Sequence, residues 1–509
     1  MKKFILSIDQ GTTGTTALLI NEENLDLVDK VNIEFPQIYP KPGWVEHNLN
    51  DIWMTVEKSV TSVLQKNNVQ GKQVSSIGIT NQRETTCAYD KEGTPLANAI
   101  VWQDRRTSPY CETHKDKYKV LHKKTGLPLD PYFSGTKMNW LLENNEEVKE
   151  HAQEKNLRLS TIDTYLLYKM TQAQSFYTEP SNASRTLLMN LSTTDWDSEL
   201  LEFFNVDKTF LPTIKESFSH LGTTKGLSFL PDGIPISCIL GDQQAALFGQ
   251  AGYKGGDLKC TYGTGAFILL NTGENQVFST KGLLTTVAYK YKDKTCYALE
   301  GSCYIAGAAV QWLRDNMRLI NNSSEVENLA KSVQDLSEME HLLFLPFFTG
   351  IGSPYWNSEA KGAIIGLTRD TSAKHMARAC LDGMALSIND SIQAIIEESP
   401  KKVNSIKVDG GACQNDLLMN IQACFSDKEI IRPQVIETTA YGVALGSQIG
   451  LGKIEFSDLD KLWKKDKSFT PVENSYFKHK QTQWNQIIKK LYSLNVNDIK
   501  GILLNKKHF

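Results

Sequence analysis

Three short turns rich in glycine and threonine could hold the phosphates of a nucleotide. They follow apolar runs and comprise residues 9–14, 262–265 and 408–411. Exposed backbone N–H groups and threonine hydroxyls in such turns bind phosphate oxygens, and a carboxylate such as Asp9 binds Mg²⁺ directly or through water. Each turn alone is more typical of a hairpin or of a helix start. Three of them in one chain favour a phosphotransferase built from two lobes.

Asp242 is the candidate general base. An apolar run ends at Gly241-Asp242, and helix-forming residues follow. This order predicts that Asp242 lies between a strand end and a helix N-terminus, whose positive potential favours the ionised carboxylate that a base for a hydroxyl requires. An ordinary helix N-cap is an equally good interpretation of Asp242 when the residue is taken alone.

A polar stretch and several aromatic residues could form the site of a small polyol. Residues 81–85 read Asn-Gln-Arg-Glu-Thr and follow an apolar run. The adjacent Arg83 and Glu84 offer donors and acceptors suited to vicinal hydroxyls. The aromatic candidates for packing against the carbon side of such a molecule are Trp102, Tyr132 and Phe267. A surface ion pair and buried aromatic residues would explain these side chains equally well.

The elements that must position these residues are predicted from the hydrophobic pattern. In the first part of the chain, strands are predicted at 4–8, 15–20, 28–35 and 76–80. An amphipathic helix with Ile52, Val56 and Val60 on one face precedes the last strand, capped by Asn48 or Asn50. Three strands, a helix and a strand are typical of a mixed sheet covered by helices, so the predicted fold class is α/β.

A similar pattern recurs after about residue 250. Strands are predicted at 259–261, 267–270 and 405–408, and helices at 377–395 and 417–425. The longer helix is predicted to be capped near Thr371 or Ser372. We therefore predict two α/β halves with a boundary near residues 245–260.

Length and composition exclude several classes of protein. The chain has 509 residues, of which 40% are hydrophobic and 22% are charged, so it is not disordered or fibrous. No apolar run approaches the ~18 residues of a membrane span. Nine scattered cysteines without a C-x-x-C pair indicate reduced thiols and no zinc site. P-loop, protein-kinase and dinucleotide-binding motifs are absent, and these features together favour a cytoplasmic protein.

The C-terminal segment 451–509 is basic, with 12 basic and 6 acidic residues in a chain whose net charge is −3. Basic tails can bind nucleic acid. Here, however, Trp484, Ile487, Ile488 and Leu491 recur between the lysines at helical spacing. We therefore predict an amphipathic helix packed on the rest of the protein, and no nucleic-acid partner.

Several stretches together resemble the FGGY carbohydrate kinases, a family within the actin-like ATPase superfamily. These stretches are residues 9–13, 40–47, 79–85, 130–137, 241–250, 355–369 and 408–411. The Asn-Gln-Arg-Glu-Thr stretch is typical of the members that phosphorylate glycerol rather than sugars. The similarity runs from about residue 4 to about residue 450.

The resemblance implies two ribonuclease-H-like domains, with mixed sheets flanked by helices, that close on a central cleft. It places the first domain at 1–250 and the second at 251–450, with a helical extension at 451–509 packed on the second domain. Glycerol would lie deep in the first domain, and ATP mainly against the second.

The resemblance also implies roles for individual residues. Asp242 would be the general base, and Asp9 would lie near Mg²⁺. The residues implied to bind glycerol are Arg83, Glu84, Trp102, Tyr132, Asp242, Gln243 and Phe267. The residues implied to contact ATP are Thr12, Thr13, Gly14, Thr264, Gly307, Gln311, Gly411 and Asn415.

Two departures from the family pattern limit what the resemblance implies. The family often has arginine at the position of Thr16, and a neutral hydroxyl cannot replace a guanidinium that reaches phosphate. Residues 221–235 lack both the histidine and the Gly/Arg loop through which some bacterial members are regulated. Those two modes of regulation are therefore not expected.

Three functions are open from the sequence. The first is transfer of phosphate from ATP to glycerol, giving sn-glycerol 3-phosphate, by a homodimer or homotetramer. The second is a related kinase of a pentulose or another polyol, although Arg83, Glu84 and Trp102 suit a three-carbon triol. The third is an actin- or chaperone-like ATPase without an acceptor, which the polar stretch at 81–85 disfavours.

Overall fold

The computed structural model describes residues 2–357 and 359–493. The strands of the first half are β1 (Phe4–Gln10), β2 (Gly14–Asn21), β3 (Leu27–Glu34), β4 (Glu46–His47), β5 (Val74–Asn81), β6 (Thr86–Asp90), β7 (Ala99–Ile100), β8 (Leu157–Thr161), β9 (Tyr177–Thr178), β10 (Met189–Asn190), β11 (Asp195–Trp196), β12 (Thr213–Ile214), β13 (Gly222–Thr223) and β14 (Pro235–Gly241). Its helices are α1 (Leu49–Lys66), α2 (Ser108–Thr113), α3 (Tyr118–Thr125), α4 (Ser134–Asn144), α5 (Glu146–Gln153), α6 (Ile162–Met170), α7 (Pro180–Ala183), α8 (Ser198–Phe203) and α9 (Asp242–Gly249).

The large sheet of the first half has six strands in the order β13-β14-β5-β1-β2-β3. The strands β1, β2 and β3 pair antiparallel, whereas β5 is parallel to both β1 and β14. Gly241 at the end of β14 pairs with Asn81 at the end of β5. The residues that follow these two strands, among them Arg83 and Asp242, therefore emerge side by side at one edge of the sheet.

The second half repeats this plan with its own elements. Its strands are β15 (Leu258–Tyr262), β16 (Ala266–Gly273), β17 (Leu284–Tyr291), β18 (Lys294–Cys303), β19 (Leu343–Leu345), β20 (Ala363–Ile365), β21 (Ser405–Asp409), β22 (Glu429–Pro433) and β23 (Lys465–Phe469). Its helices are α10 (Gly307–Asp315), α11 (Glu325–Lys331), α12 (Ala373–Glu398), α13 (Asp416–Ser426), α14 (Thr438–Gly450), α15 (Leu459–Leu462) and α16 (Ser475–Ser493).

The large sheet of the second half has seven strands in the order β17-β18-β16-β15-β21-β22-β23. As in the first sheet, three antiparallel strands (β15, β16 and β18) continue into two parallel ones (β21 and β22). Thr261 pairs with Asp409 at the ends of β15 and β21, so the second and third glycine turns lie side by side. This repeated plan confirms the predicted α/β class with two mixed sheets flanked by helices.

The long helices form where the sequence pattern predicts them. Asn48 caps α1, because its side chain accepts a hydrogen bond from the Asn50 backbone, and Ile52, Val56 and Val60 of α1 are buried. Ser372 is the N-cap of α12, whose 26 residues are mostly buried. One detail differs, since the third glycine turn leads first into a short 3₁₀ turn and only then into α13.

Helix α14 belongs to the second half in sequence but packs against the sheet of the first half. A Cβ atom added to Gly78 of β5 would lie 2.1 Å from the Val443 carbonyl oxygen, and one added to Gly442 would lie 2.0 Å from that of Ala245. The backbones of α14, α9 and β5 can approach this closely only because glycines stand at the crossings.

The C-terminal extension contributes to the second half. β23 pairs with β22 at the edge of the sheet, and the Trp484 side chain of α16 is fully buried. Ile488 is also buried and Ile487 is half-buried, so the predicted apolar face of this helix is present. Leu491, the fourth residue of that predicted face, lies outside the residues whose side chains are described.

None of the helices within 2–357 and 359–493 is both long enough and apolar enough to span a membrane.

Candidate active site

A tight turn after β5 buries two side chains of the predicted acceptor site. Both Arg83 and Glu84 are only 2% exposed, although both are charged. Glu84 has a positive φ of 60°, which is uncommon for a residue with a side chain. Its backbone carbonyl accepts hydrogen bonds from the Thr86 and Ser134 hydroxyls, which hold the turn in this conformation.

Arg83 and Glu84 belong to a buried cluster with two charged residues that the sequence analysis missed. Glu300 of β18 accepts from both terminal nitrogens of Arg83, at 2.5 and 3.0 Å, and from Arg185 Nη2 at 2.9 Å. Arg185 in turn donates from Nε to Glu84 Oε1 at 2.6 Å. A signal was present in the sequence, because Glu300 interrupts an otherwise uncharged stretch of a buried strand.

The cluster treats its two glutamates differently. Burial raises the pKa of Glu84, and the charges of Arg185 and Arg83 offset this only in part. Burial would also raise the pKa of Glu300, but there Arg185 and Arg83 outweigh it and hold the pKa below its usual value. Glu300 is therefore the residue that neutralises the two arginines, and Glu84 is the less firmly paired carboxylate.

Asp242 lies at the first position of α9, as the sequence predicts, and is about one third exposed. Its Oδ1 atom lies 3.1 Å from Arg83 Nε and also accepts from the Gln243 backbone N–H at 2.7 Å. Among the described residues, no donor contacts Oδ2. Asp242 therefore has one oxygen fixed by the protein and one available to a bound molecule.

Three aromatic rings and Gln243 lie around these charged groups. The Trp102 ring packs edge-on against Tyr132 at 5.6 Å and against Phe267 at 6.4 Å between centroids. Gln243 is held through Oε1 by the buried ammonium group of Lys259, a further residue that the sequence analysis missed. All seven residues predicted to bind the acceptor thus belong to one connected set.

The first glycine turn is joined to this set by Trp102, whose indole N–H donates to Thr12 Oγ1 at 3.0 Å. Thr13 is exposed, whereas Gly14 is buried. A Cβ at Gly14 would lie 2.8 Å from the Ile33 carbonyl oxygen, so the turn requires glycine there. The turn therefore presents the Thr12 hydroxyl directly beside Trp102, one of the residues predicted to bind the acceptor.

Asp9, the predicted metal-binding residue, lies in a strongly negative environment. Burial raises its pKa to about 8, and the charges of Asp242 and Glu437 add to the effect. A bound cation would relieve this repulsion. No group of three or more Asp, Glu, His or Cys residues within the described ranges is arranged to hold a metal.

A cavity of about 490 Å³ opens beside the second and third glycine turns. Five of the eight residues predicted to contact ATP line it: Thr264, Gly307, Gln311, Gly411 and Asn415. The other three, Thr12, Thr13 and Gly14, belong to the first turn. Of the described residues that line this cavity, only Glu327 is charged.

The backbone shapes this cavity. Gly410 has a φ of +81°, and a Cβ there would lie 2.6 Å from the Tyr262 carbonyl oxygen. Asn415 caps α13 by accepting from the Leu418 N–H at 2.9 Å. Its side-chain oxygen is therefore used within the protein, and its NH₂ group is the part that a nucleotide could meet.

Thr16 lies where the family often has arginine, and its side chain makes a neutral contact. Its hydroxyl accepts a hydrogen bond from Asn32 Nδ2 at 2.9 Å.

A chain of buried polar groups connects the first turn with the acceptor stretch. Gln37 donates to the Thr12 carbonyl oxygen, His47 contacts Gln37 Oε1 at 2.8 Å, and Gln82 contacts the other ring nitrogen of His47. Burial lowers the pKa of His47 to about 4. A neutral ring that donates to Gln37 and accepts from Gln82 satisfies every group in this chain.

Comparison with known proteins assigns the fold to a family. The FGGY family of carbohydrate kinases matches through its N-terminal domain at residues 4–249 and through its C-terminal domain at residues 258–447. The chain belongs to this family. It is therefore a kinase, and the resemblance stated from the sequence is confirmed.

Individual relatives agree with this assignment. The chain is 47% identical to a glycerol kinase of Bdellovibrio bacteriovorus over 500 residues, which cover 96% of this chain and 100% of that protein. It is 45% identical to a glycerol kinase of Staphylococcus haemolyticus over 475 residues, covering 92% and 94%.

Solved structures give the same picture. A crystal structure of Plasmodium falciparum glycerol kinase with ADP superimposes with a TM-score of 0.88 at 34% identity, covering 97% of this FGGY kinase and 99% of that chain. A gluconate kinase from Lactobacillus acidophilus superimposes with a TM-score of 0.83 at 23% identity, with 99% of each chain covered. At that identity the second similarity concerns the fold alone.

Proposed function

We propose that this FGGY kinase transfers the γ-phosphoryl group of ATP to glycerol and forms sn-glycerol 3-phosphate and ADP. The observation that carries the proposal is the set of buried polar groups around Asp242, which lies beside the first glycine turn. Its donors and acceptors suit the hydroxyls of a small triol, and its aromatic rings could pack against the carbon side of such a molecule. The identity to several glycerol kinases supports the same acceptor.

The acceptor would be held by groups that the protein itself leaves available. Glu84 Oε1 is bound by Arg185, so its Oε2 would accept from one hydroxyl. Arg83 would donate to an oxygen, and so would the NH₂ group of Gln243, whose carbonyl side is taken by Lys259. Trp102 and the rings of Tyr132 and Phe267 would cover the carbon side.

Asp242 would act as the general base. Its Oδ1 atom is fixed by Arg83 and by its own helix, so Oδ2 would accept the proton of the terminal hydroxyl as that oxygen attacks the γ-phosphorus in line. The O–H bond breaks, a P–O bond forms, and the bond to ADP breaks. Because the transition state of phosphoryl transfer is loose, positioning and charge neutralisation account for most of the catalysis.

Mg²⁺ would be held near Asp9 together with the phosphates. When bound, it neutralises charge on the phosphate oxygens. The chain's own contribution would be the Asp9 carboxylate, whose raised pKa reflects negative surroundings that a cation would relieve, and the hydroxyls of Thr12 and Thr13, which would orient the phosphates.

ATP would occupy the cavity beside the second and third glycine turns. A Cβ at Gly411 would meet no protein atom within 4 Å, so this glycine leaves space for a flat base or a ribose beside the backbone, whereas Gly307 and Gly410 let neighbouring backbone segments pack closely. Gln311 and the NH₂ group of Asn415 would provide hydrogen bonds without a charge. The cavity's few charged groups suit the neutral adenosine, while the phosphates would extend towards the first turn.

The experiment that tests this function is an assay of ADP release with purified protein, ATP and Mg²⁺ against five acceptors. We expect strong release with glycerol and weaker release with dihydroxyacetone, xylulose, ribulose and gluconate. Strong activity with a pentulose and none with glycerol would mean that the acceptor is a pentulose and not glycerol. ADP release that no acceptor stimulates would indicate an ATPase instead.

We further propose that the enzyme is a cytoplasmic homodimer or homotetramer, with domains at 1–250 and 251–450 and a C-terminal extension from residue 451. Its nine cysteines, all within the described residues, are free thiols, which suits a reducing compartment that supplies ATP. The edge strand β20 exposes Ile365, and Leu367 beyond it is 59% exposed, so this apolar edge is suited to contact a second copy. Light scattering on the purified protein measures the oligomeric state.

A further inference from the structure

The buried charges beneath the proposed acceptor site come from both halves of the chain. Arg83 and Glu84 follow β5 and Arg185 follows α7, whereas Glu300 lies on β18 in the sheet of the second half. Arg185 and Glu300 are fully buried. Burying ion pairs of this kind contributes little net stability, because desolvation offsets the attraction between the charges. The cluster therefore needs an explanation other than stability.

Glu300 fixes the plane of the Arg83 guanidinium. Its two carboxylate oxygens receive the two terminal nitrogens of Arg83, which is the paired geometry that arginine and a carboxylate adopt. Arg185 binds Oε1 from the other side and prevents Glu300 from turning. A guanidinium held at both terminal nitrogens cannot rotate towards Glu84, whose Oε1 lies 4.0 Å from Arg83 Nε.

The donors of Arg83 can be counted. Nη1 donates to Glu300 and to Gln244 Oε1, Nη2 donates one hydrogen to Glu300, and Nε faces Asp242 Oδ1. An arginine has five N–H hydrogens, so one hydrogen on Nη2 has no partner among the described residues. That hydrogen is the donor left for an acceptor molecule, and Nε is the donor left to orient the base.

We propose that Glu300 is a positioning residue through which the second half of the chain sets the acceptor site of the first. It aims Arg83 Nε at Asp242 and leaves one Nη2 hydrogen for the substrate. This inference rests on the proposed function, because it assigns Arg83 and Asp242 to acceptor binding and catalysis. It adds that the acceptor site is complete only when β18 is docked against the turn after β5.

The test is steady-state kinetics of Glu300→Gln, which keeps the shape of the side chain but removes its charge. Loss of a charge-assisted, paired contact should raise the KM for glycerol about tenfold or more and lower kcat, with the KM for ATP changed less than about twofold. Glu300→Asp keeps the charge, and we expect it to restore part of the loss. If Glu300→Gln does not fold, the KM for glycerol of Glu300→Asp carries the test in its place.

A matched control separates positioning from simple stability. Asp382 forms a buried ion pair with Arg378 on α12, away from the acceptor residues. Asp382→Asn should lower the melting temperature and leave the KM for glycerol unchanged. A second readout is a double-mutant cycle with Glu300→Gln and Arg83→Lys. In the Arg83→Lys protein, Glu300→Gln should have little further effect on the KM for glycerol.

Two outcomes would overturn the inference. One is a folded Glu300→Gln enzyme that loses stability like the control but keeps the KM for glycerol and kcat. The other is full additivity of the Glu300 and Arg83 changes. The wild-type protein in the same assay distinguishes failure of this inference from failure of the proposed function. If the wild-type protein shows no glycerol-dependent ADP release, the proposed function itself is refuted.

Discussion

The proposed acceptor pocket and the proposed nucleotide cavity are lined by different kinds of groups. Around Asp242, buried charged side chains from both halves hold one another in fixed orientations through hydrogen bonds of 2.5–3.1 Å. In the nucleotide cavity, glycine turns, helix ends and neutral amides form the wall, and Glu327 is the one charged residue among the described lining residues. The first site is defined by side-chain chemistry and the second by backbone shape.

This difference shows where each site should be sensitive to mutation. In the acceptor pocket, an isosteric change that removes one charge should be severe, because the remaining charges lose their partners inside the protein. In the nucleotide cavity, removing a polar atom should matter less than adding volume to a glycine. The predictions below test this contrast, beginning with the largest expected effect.

Asp242→Asn should cause the largest loss. The amide cannot accept the hydroxyl proton, so kcat should fall by about 10²- to 10⁴-fold with little change in the KM for ATP. Asp163→Asn is the control, because Asp163 is a fully buried carboxylate of the first half that binds the Thr161 and Thr178 hydroxyls instead. Near-normal turnover of a folded Asp242→Asn protein would contradict the assignment of the base.

Glu84→Gln should be the next most severe change. Its Oε1 atom would still accept from Arg185, but the buried cluster would lose a negative charge and the acceptor would lose a charged partner. We expect the KM for glycerol to rise about tenfold to a hundredfold, as loss of a hydrogen bond to a charged group implies. The KM for ATP, measured in the same assay, should stay within about twofold of wild type. Equal increases in both constants would contradict the separation of the two sites.

Gly411→Ala tests the nucleotide cavity with a smaller expected effect. A Cβ at Gly411 would have no protein atom within 4 Å, so the melting temperature should not change. If ATP lies in the cavity, however, the methyl group meets it, and the KM for ATP should rise about threefold to tenfold while the KM for glycerol is unaffected. Gly410→Ala is the comparison, since its positive φ and its contact with Tyr262 predict a loss of stability as well. An unchanged KM for ATP in Gly411→Ala would place the nucleotide elsewhere.

His47 tests, through pH, the chain of polar groups that connects the first glycine turn with the acceptor stretch. Burial holds its pKa at about 4, whereas an exposed histidine has a pKa near ~6.5. The unfolded chain therefore takes up a proton between these pH values that the native protein does not, and stability falls as pH decreases from ~6.5 to ~4. In His47→Asn, the drop in melting temperature over this range should be smaller by about 2–4 °C. The same drop in both proteins would contradict a neutral, buried His47.

The fold was largely predictable from the sequence, because its signals are local. Apolar runs indicated β1, β2 and β5, and the cap candidates included Asn48 and Ser372, at which the long helices begin. The glycine turns were also predictable, because glycine after a strand is typical of a tight turn. The short 3₁₀ turn before α13 was not predicted, because hydrophobic spacing does not distinguish it from the helix that follows.

The candidate site was predictable only in part. The residues predicted to bind the acceptor lie in one connected set, and their binding roles stay predictions, but their partners Arg185, Glu300 and Lys259 were missed. Glu300 and Lys259 lie in strands of the second half, and they meet Arg83 and Gln243 only when the two halves come together. Arg185 lies in the first half, but 101 residues from its partner Glu84. A charge inside a buried strand, such as Glu300, indicates that a partner must exist. It does not indicate which one, because pairing is decided by the tertiary structure.

Phosphorus-31 NMR of a reaction with purified protein, ATP, Mg²⁺ and glycerol tests the central claim most directly. The account predicts that each ATP consumed gives one ADP and one phosphomonoester, which a stereospecific dehydrogenase assay identifies as sn-glycerol 3-phosphate. Asp242→Asn, run in parallel, should give neither product at a comparable rate. Inorganic phosphate as the only new product, or a phosphomonoester only when a pentulose replaces glycerol, would contradict the account.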